Sequence, residues 1–435
     1  MLTQLRKLVQ IPTKIFNLIK RFRLHYLAFL GPGLIATAAG NDAGGIATYS
    51  VAGALFGYSI LWIMVPLTVS FILVQEMSAR LGAVTGKGFS DLVRENFSLR
   101  TTVAMMTLLL LGNAGIVVSE FAGIAASLEL FGITKYISVP IAAIFIWWLI
   151  VKGNYHKIER VFLLMSGILL SYIVAAFLSK PDPTQILTGL LIPTVHQDIS
   201  FLMYGIALVG TTIAPFMQIY AQASVVEKGI TVNDLKLERL DTIVGTVFAN
   251  IVAVFIIIAT AATLHPLGIR IETAADAARA LTPFAGDYAR ILFGVGLLGA
   301  SLLAAGVVPL TTAFAISNAF GWESGVNRSL DEAPIFYAIF TILIVMAATI
   351  ILTPAVSLIQ ILVGFQVVNG ILLPIELVFM MKLANNSVLM GKYRNGKVFN
   401  LIIWATIIIV GSASLLLVGS VVFGYLERIW RLLSA

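Results

Sequence analysis

The sequence contains no cysteine and few charged residues. Of its 435 residues, 11% are charged and 59% are hydrophobic, and the mean hydropathy is +0.99. The absence of cysteine excludes disulfides, thiolate metal sites and thiol catalysis. A water-soluble core does not need so many apolar residues, so the composition predicts an all-α polytopic membrane protein.

Histidine is equally scarce. The four histidines fall near predicted loops or helix ends: His25, His156, His196 and His265. A histidine-based proton relay through the membrane is therefore not expected. An intramembrane hydrolase would need a nucleophile with a base, or a set of zinc ligands, and no histidine or lysine lies mid-span to supply either. We expect neither an enzyme nor a bound cofactor.

Eleven apolar segments are long enough to span a bilayer, and several exceed the roughly 20 residues that a straight helix needs. They cover residues 27–55, 57–82, 101–131, 136–151, 158–179, 201–226, 238–264, 286–319, 334–352, 355–383 and 399–425. Residues 1–26 mix basic and apolar residues without the continuous apolar stretch of a signal peptide. They are interpreted as a basic cytoplasmic N-terminal tail.

The basic residues are distributed asymmetrically. With the N-terminus inside, the tail and the inner loops carry most of the 28 Lys and Arg residues. Since cytoplasmic loops are enriched in these residues, a cytoplasmic N-terminus and an outside C-terminus are predicted. The net charge of +7 is then a topology signal, and nucleic acid is not an expected partner. We expect a multi-pass protein of the plasma (cell inner) membrane that contacts lipid and works as a monomer.

The first apolar segment contains a stretch that should interrupt its helix. Residues 31–49 read GPGLIATAAGNDAGGIATY. Each glycine costs about 1 kcal/mol against alanine inside a helix, and Asn41 and Asp42 compete for backbone hydrogen bonds. A broken helix that exposes carbonyls beside a carboxylate is the outline of a cation site. The alternative is a glycine-rich packing face on which Asp42 is protonated or interfacial.

The sixth segment contains a second interruption. Pro215 lies mid-span, and proline removes a backbone hydrogen bond and clashes with the preceding turn. Interruptions in segments one and six are typical of two five-helix repeats of inverted topology. We expect a first repeat over residues 27–180, a second over 199–385 and an eleventh helix over 398–426.

Other polar residues lie within the predicted spans. Glu120 is in the third segment, and Gln366 and Asn369 share a helix face in the tenth because they are three residues apart. An intramembrane carboxylate marks function by default, whereas Gln366 would also suit interhelical hydrogen bonding. Glu76 precedes Arg80 by four residues, which predicts a local ion pair.

Four short motifs carry a family resemblance. They are GPG at residues 31–33 followed by Asp42, ARLGAVTG at 79–86, SEFAG at 119–123 and FQVVNGILLP at 365–374. Their order and spacing resemble the Nramp family of divalent-metal transporters, in which DPGN, AEVIG and a glutamine of the tenth helix occupy the corresponding places. The resemblance covers about residues 29–385. It implies the leucine-transporter fold, with helices one and six broken.

The sequence departs from this family at two metal ligands. DPGN is here DAGG at residues 42–45, so Gly45 stands in place of the asparagine ligand. The motif MPH of helix six is here APF at residues 214–216, so Ala214 replaces the thioether and Phe216 replaces the histidine. This pattern is similar to the Nramp-related magnesium transporters, a branch of the same superfamily.

The resemblance implies a metal site and its surroundings. The implied site consists of Asp42, Gly45, Thr211, Ala214 and Gln366, with Asn41, Glu120, Phe216 and Asn369 behind it or in gating. Asp42 would supply charge, and the Thr211 carbonyl and the Gln366 amide would supply oxygens. Another register would bring Met217 to the site, but it breaks the match at the proline.

These ligands predict transport of divalent cations, with Mg²⁺ as the preferred ion and Mn²⁺ also accepted. A thioether is a soft ligand that favours Mn²⁺ and Fe²⁺ over Mg²⁺, and here it is absent. Mg²⁺ gives up its water reluctantly and is usually held by one or two carboxylates and several waters. The small Gly45 and Ala214 leave room for those waters, so we expect a partly hydrated ion.

Proton coupling is not expected, because Phe216 stands where the family has the helix-six histidine. Glu120 is then left without a relay partner. Two alternatives remain. One is a proton-coupled Mn²⁺/Fe²⁺ symporter of the main family type. The other is a sodium-coupled organic-solute symporter of the same fold, although Asp42 would repel an anionic carboxylate substrate.

Overall fold

The structure, a computed structural model, describes residues 32–153, 161, 170–178, 180–279, 288–354 and 358–433. Within these ranges the protein is built of helices and contains no strand, which confirms the predicted all-α fold. The α-helices are α1 (Pro32–Ala38), α2 (Ala43–Phe56), α3 (Met64–Thr85), α4 (Phe89–Asn96), α5 (Leu99–Glu129), α6 (Lys135–Lys152), α7 (Leu170–Leu178), α8 (Pro183–Leu191), α9 (Ile199–Thr212), α10 (Pro215–Glu227), α11 (Leu235–Thr263), α12 (Ala274–Arg279), α13 (Tyr288–Phe320), α14 (Pro334–Leu352), α15 (Leu358–Ala384), α16 (Ser387–Met390) and α17 (Lys397–Leu433).

The long helices follow the predicted order of membrane segments. Nine helical stretches in the described ranges are long and apolar enough to cross a membrane. One of them, Ala43–Thr85, joins the first two predicted spans through a 3₁₀ turn over Gly57–Ile63. The fifth predicted span, 158–179, lies mostly outside the described residues, as does the predicted tail 1–26.

Both predicted interruptions are present. α1 ends at Ala38, and α2 begins at Ala43 after a link in which Gly40 and Asn41 bond back over three residues. α9 ends at Thr212, and α10 begins with Pro215 in its first turn. A first-turn proline is tolerated because that position has no intrahelical hydrogen bond to lose. Each break therefore follows from the residues that stand in it.

The two broken helices are enclosed by long ones. α5 and α13, which are 31 and 33 residues long, pack along each other. α11 packs against both α1 and α2, and α15 packs against α9 and α5. Asp42 and Thr211 are buried as a result, so the polar groups of both breaks lie in the interior.

α9 and α15 meet backbone to backbone. A Cβ atom on Gly210 would stand 2.0 Å from the Gln366 carbonyl oxygen and 2.3 Å from the Gly370 nitrogen. A Cβ on Gly370 would in turn stand 2.4 Å from the carbonyl oxygen of Ile206. These glycines let the tenth membrane segment approach the break in the sixth, which places Gln366 beside it.

Several short helices lie outside the predicted spans, namely α4, α8, α12 and α16. α4 buries Phe89, Leu92 and Val93 on one face, and it connects α3 to α5. The predicted ion pair of α3 is confirmed, since Arg80 Nε lies 3.0 Å from Glu76 Oε1. Arg239 at the start of α11 joins the same carboxylate at 2.7 Å, a contact between helices that the sequence pattern did not predict.

Candidate metal site

Asp42 is the residue that begins α2. Its backbone is extended, with φ −72° and ψ 178°, and its carboxylate accepts the N–H of Gly45 as an N-cap. The side chain is 1% exposed. A carboxylate is favoured at a helix N-terminus because the first N–H groups lack partners and the helix dipole is positive there. The helix break thus fixes the direction in which this carboxylate points.

Gln366 of α15 contacts the same carboxylate. Its Nε2 donates to Asp42 Oδ1 and Oδ2 at 3.2 and 3.1 Å, and its Oε1 accepts from Asn369 Nδ2 at 3.3 Å. The amide therefore points its N–H donor at the Asp42 carboxylate, which is where a cation would bind. For Gln366 to become a ligand, its amide must turn so that Oε1 faces the ion.

The second break contributes Thr211. The helical donor for the Thr211 carbonyl would be the N–H of residue 215, and proline has none. The Thr211 hydroxyl is buried and has no hydrogen-bond partner among the described residues. A Cβ on Gly45 would stand 2.6 Å from Thr211 Oγ1 and 3.0 Å from Asp42 Oδ1. Asp42 and Thr211 therefore pack closely around Gly45, which admits both because it has no side chain.

Glu120 of α5 reaches the first break from the other side. Its Oε2 accepts the N–H of Ala43 at 3.1 Å, and its carboxyl group also lies within hydrogen-bonding reach of the Asp42 carboxyl group. The residue after Asp42 is thus held by a second carboxylate. This contact, between residues 77 positions apart, has no signal in the local sequence.

The other predicted residues differ in their contacts. Asn41 donates from Nδ2 to the Ala249 carbonyl at 2.9 Å, so its amide ties the break to α11. Ala214 and Phe216 are buried on either side of Pro215, and their side chains carry no donor or acceptor atoms. They shape the second break without joining the hydrogen bonds around Asp42.

Sequence reasoning missed two contacts at the breaks. The Tyr49 hydroxyl lies 3.0 Å from Thr212 Oγ1 and joins α2 to the end of α9. Met217 packs against Gly40, because a Cβ on Gly40 would stand 1.6 Å from Met217 Cε. The thioether of α10 therefore reaches the link between α1 and α2, although Pro215 keeps the register that places Ala214 before the helix.

The donor set suits a hard cation. Around the two breaks lie the carboxylates of Asp42 and Glu120, the Thr211 carbonyl and the Gln366 amide. Across the described residues, no group of three or more His, Cys, Asp or Glu side chains is placed to hold a metal. Carboxylate, carbonyl and amide oxygens are ligands typical of Mg²⁺, Ca²⁺ and Mn²⁺. The oxygen donors present therefore match the ligand preference of a hard divalent cation.

Solved structures share this arrangement of helices. The manganese transporter of Eremococcus coleocola, solved with an aromatic bis-isothiourea substituted compound, matches with a TM-score of 0.75 at 19% identity, over 93% of this chain and 89% of that one. MhsT in complex with L-phenylalanine matches with a TM-score of 0.59 at 12% identity, over 89% and 98%. Mhp1, a nucleobase-cation-symport-1 family transporter, matches with a TM-score of 0.57 at 14% identity, over 91% and 92%. The chain thus has the leucine-transporter fold.

Sequence comparison gives the family. The divalent metal cation transporter MntH of Yersinia pestis is 30% identical over 385 residues, which cover 84% of this chain and 88% of the relative. MntH of Aeromonas hydrophila is 27% identical over 382 residues, covering 85% and 90%. The family model described as natural resistance-associated macrophage protein-like matches residues 33–420. The chain belongs to the Nramp family, as its motifs had indicated.

Proposed function

We propose that this chain transports divalent metal ions across the plasma membrane, with Mg²⁺ as its main substrate and Mn²⁺ also accepted. Asp42, the Thr211 carbonyl and Gln366 are the proposed protein ligands. The observation that supports the proposal is the contact of Gln366 with both Asp42 oxygens, next to Gly45 and Thr211. Family membership supports divalent metal as the substrate class, since curated relatives are named as divalent metal cation transporters.

The preference for Mg²⁺ rests on ligand chemistry and on space. Mg²⁺ binds oxygen and keeps several waters, whereas a thioether selects softer ions. The position before Pro215 is Ala214, and Gly45 lacks a side chain between Asp42 and Thr211. With no larger side chain at either position, water molecules can stay on the ion when the two breaks separate during transport. A dehydrated ion would need more protein ligands than these two breaks offer.

Transport would proceed by alternating access around a fixed site. One bundle of helices rocks against the other, and the half-helices that meet at the breaks open towards one side at a time. Entry of the ion turns the Gln366 amide, so that Oε1 replaces Nε2 at the Asp42 carboxylate. A cytoplasm-negative potential favours inward movement by about 2.3 kcal/mol per charge at 100 mV. No second driving ion is required for uptake.

Movement without stoichiometric proton transfer is part of the proposal. Phe216 follows Pro215 and cannot take up a proton. His265 stands just after α11 and His196 precedes α9, while His25 and His156 lie outside the described residues. We expect the metal to run down its own electrochemical gradient.

One observation favours a proton-coupled alternative. Glu120 is buried at the Asp42 break with its carboxyl group next to that of Asp42, so a proton could reside on Glu120 when metal binds next to it. The alternative keeps the same site and substrate class. It differs only in what moves with the metal.

Metal flux into proteoliposomes tests the proposal. Purified protein would be reconstituted, and uptake of Mg²⁺, Mn²⁺ and Ca²⁺ would be followed with entrapped metal-sensitive dyes. Saturable Mg²⁺ uptake, with Mn²⁺ as a competitor, is the expected result. Uptake of Mn²⁺ that excess Mg²⁺ does not inhibit would contradict the proposed preference and would favour the symporter type.

A further inference from the structure

A second polar site lies beyond Asn369, away from the proposed metal site at Asp42. A cavity of about 30 Å³ lies between α5, α10, α15 and the start of α4, and it opens on one side at the exposed Ile375. This volume has room for about two water molecules. Its walls are mainly apolar, including Phe89 and Met105, but three polar side chains also line it: Asn113, Asn369 and Glu376.

Glu376 is the charged group of this cavity. It is 4% exposed, and neither carboxylate oxygen has a hydrogen-bond partner among the residues that the structure describes. Glu376 follows Asn369 by seven residues on α15, so both side chains lie on one helix face. A buried carboxylate without partners is costly unless something charged or polar reaches it. An intramembrane acid of this kind marks an ion path by default.

Two asparagine side chains line the same space. Asn113 Nδ2 donates to Thr312 Oγ1 at 2.8 Å, and Asn369 Nδ2 donates to Gln366 Oε1 at 3.3 Å. Since each amide nitrogen has an acceptor, Oδ1 is the atom that each residue would offer to a cation. Asn369 Oδ1 would stand 3.7 Å from a Cβ on Gly112, which also lines the cavity. One carboxylate and two amide oxygens are ligands suited to a hard divalent cation.

The cavity is connected to the proposed metal site at Asp42 by hydrogen bonds. Asp42 contacts Gln366, and Gln366 contacts Asn369, whose other face borders the cavity. From Asn369, α15 continues for about 10 Å to Glu376, towards the end that carries Lys382. That end is the one predicted to be cytoplasmic. Glu376 thus lies between Asp42 and the predicted cytoplasmic face.

We propose that Glu376, together with Asn113 and Asn369, forms a second and weaker divalent-cation site that receives the ion after it leaves Asp42. This proposal rests on the proposed transport of divalent metal. The cavity holds about two waters in this conformation, so it must widen as the helix bundles rock to admit an ion with its remaining waters. The apolar walls keep other charges away, and one carboxylate binds the ion weakly enough for release.

Mn²⁺ stoichiometry in detergent solution tests the site. Bound Mn²⁺ would be counted by electron paramagnetic resonance on tag-free protein at saturating Mn²⁺. The wild type is expected to bind two ions per chain, Asp42→Asn one, Glu376→Gln one and the double variant none. A Glu376→Gln variant that still binds two ions would overturn the second site. An Asp42→Asn variant that binds two would instead overturn the proposed transport site, so the two failures are distinguishable.

Glu238→Gln is the matched control. Glu238 of α11 is also buried with both carboxylate oxygens unpartnered in the described part of the protein, but it does not line the cavity. The same charge removal there should leave two ions bound. If Glu376→Gln does not fold, anomalous diffraction from Mn²⁺-soaked wild-type crystals decides the matter. A peak in the cavity supports the site, and a peak at Asp42 alone overturns it.

Uptake kinetics test the relay role. Glu376→Gln should lower the maximal rate of Mn²⁺ uptake about tenfold, with the half-saturating concentration unchanged, because the entry site at Asp42 is intact. Glu238→Gln should transport at the wild-type rate. Equal maximal rates in the two variants would show that the ion does not pass by way of Glu376.

Discussion

In the proposed function, the Asp42 carboxylate both caps α2 and binds the metal ion. Its oxygens accept the Gly45 N–H that begins α2 and the Gln366 amide that spans from α15. An ionised carboxylate offers about four lone-pair positions, so a metal ion can be added once the amide turns away. The cap then holds the carboxylate in place while the ion binds. These two roles would explain why the proposed ligand stands at a helix break and not within a continuous helix.

The amides of Gln366 and Asn369 form a pair whose orientations depend on each other. If Gln366 turns Oε1 towards an ion, its Nε2 takes the place opposite Asn369 Nδ2, and two donors face each other. Asn369 must then turn as well and offer Oδ1 to Gln366. Binding of an ion at Asp42 would thereby turn Asn369 Oδ1 away from the cavity at Glu376, and release of the ion would return it.

Restoring the two missing family ligands should change ion preference. Gly45→Asn combined with Ala214→Met adds an amide and a soft thioether, so the Mn²⁺/Mg²⁺ affinity ratio should rise by about tenfold or more. Titration calorimetry with both metals measures that ratio. The asparagine Cβ would stand 2.6 Å from Thr211 Oγ1, so the Thr211 side chain must rotate to admit it.

Met217→Ala is the control for this experiment. Met217 is the thioether that already reaches the first break, at Gly40. If it packs without binding metal, its removal leaves the Mn²⁺/Mg²⁺ ratio unchanged. An unchanged ratio in the Gly45/Ala214 double variant would refute the ligand argument.

At the level of helices, the breaks could be predicted because their causes are local. The link between α1 and α2 holds Gly40, Asn41 and Asp42, which disfavour helix, and Pro215 starts α10 because it has no N–H to contribute. The contacts between breaks could not be predicted in the same way. The bond from Ala43 to Glu120 depends on how helices distant in sequence pack. Family resemblance, and not periodicity, had associated Thr211 and Gln366 with Asp42.

The approach of α9 to α15 is a second feature that only the packed structure reveals. Gly210→Ala would put a Cβ 2.0 Å from the Gln366 carbonyl oxygen, and a backbone atom cannot move aside cheaply. We expect a loss of about 1–3 kcal/mol of stability and impaired Mg²⁺ uptake, because Gln366 is displaced with its helix. Thermal unfolding and flux in proteoliposomes measure the two effects.

Gly205→Ala on the same helix serves as the comparison. Its Cβ would meet only Ile63 Cδ1, at 3.9 Å, which is an ordinary contact. This variant should unfold and transport like the wild type. Equal melting temperatures for the Gly210 and Gly205 variants would refute the close approach of the two helices.

On the scale of the whole molecule, the proposed function is that of a facilitator driven by the gradient of the metal itself. Both half-helix junctions lie in the interior, enclosed by α5, α11, α13 and α15, so water and ions reach them only when one side opens. In the proposed function, the oxygen ligands bind a partly hydrated ion. Such an ion needs less reorganisation on entry and release than a dehydrated one.

Proton movement distinguishes a facilitator from a coupled transporter. With a pH-sensitive dye inside liposomes, uptake of Mg²⁺ or Mn²⁺ should cause no stoichiometric acidification, because no titratable partner replaces the family histidine at Phe216. The Glu120→Gln variant should transport metal at a rate similar to wild type. Metal-dependent acidification that disappears in Glu120→Gln would identify Glu120 as the proton carrier, and the protein would then be a symporter.

The most direct test of the central claim is Mg²⁺ uptake by Asp42→Asn in proteoliposomes. Asparagine caps a helix about as well as aspartate, so the variant keeps the break and removes only the charge. Size-exclusion chromatography and thermal unfolding check that it folds. If Asp42 binds the transported ion, saturable Mg²⁺ uptake is abolished while the protein remains folded. Saturable uptake at the wild-type half-saturating concentration would show that Asp42 does not bind the transported ion.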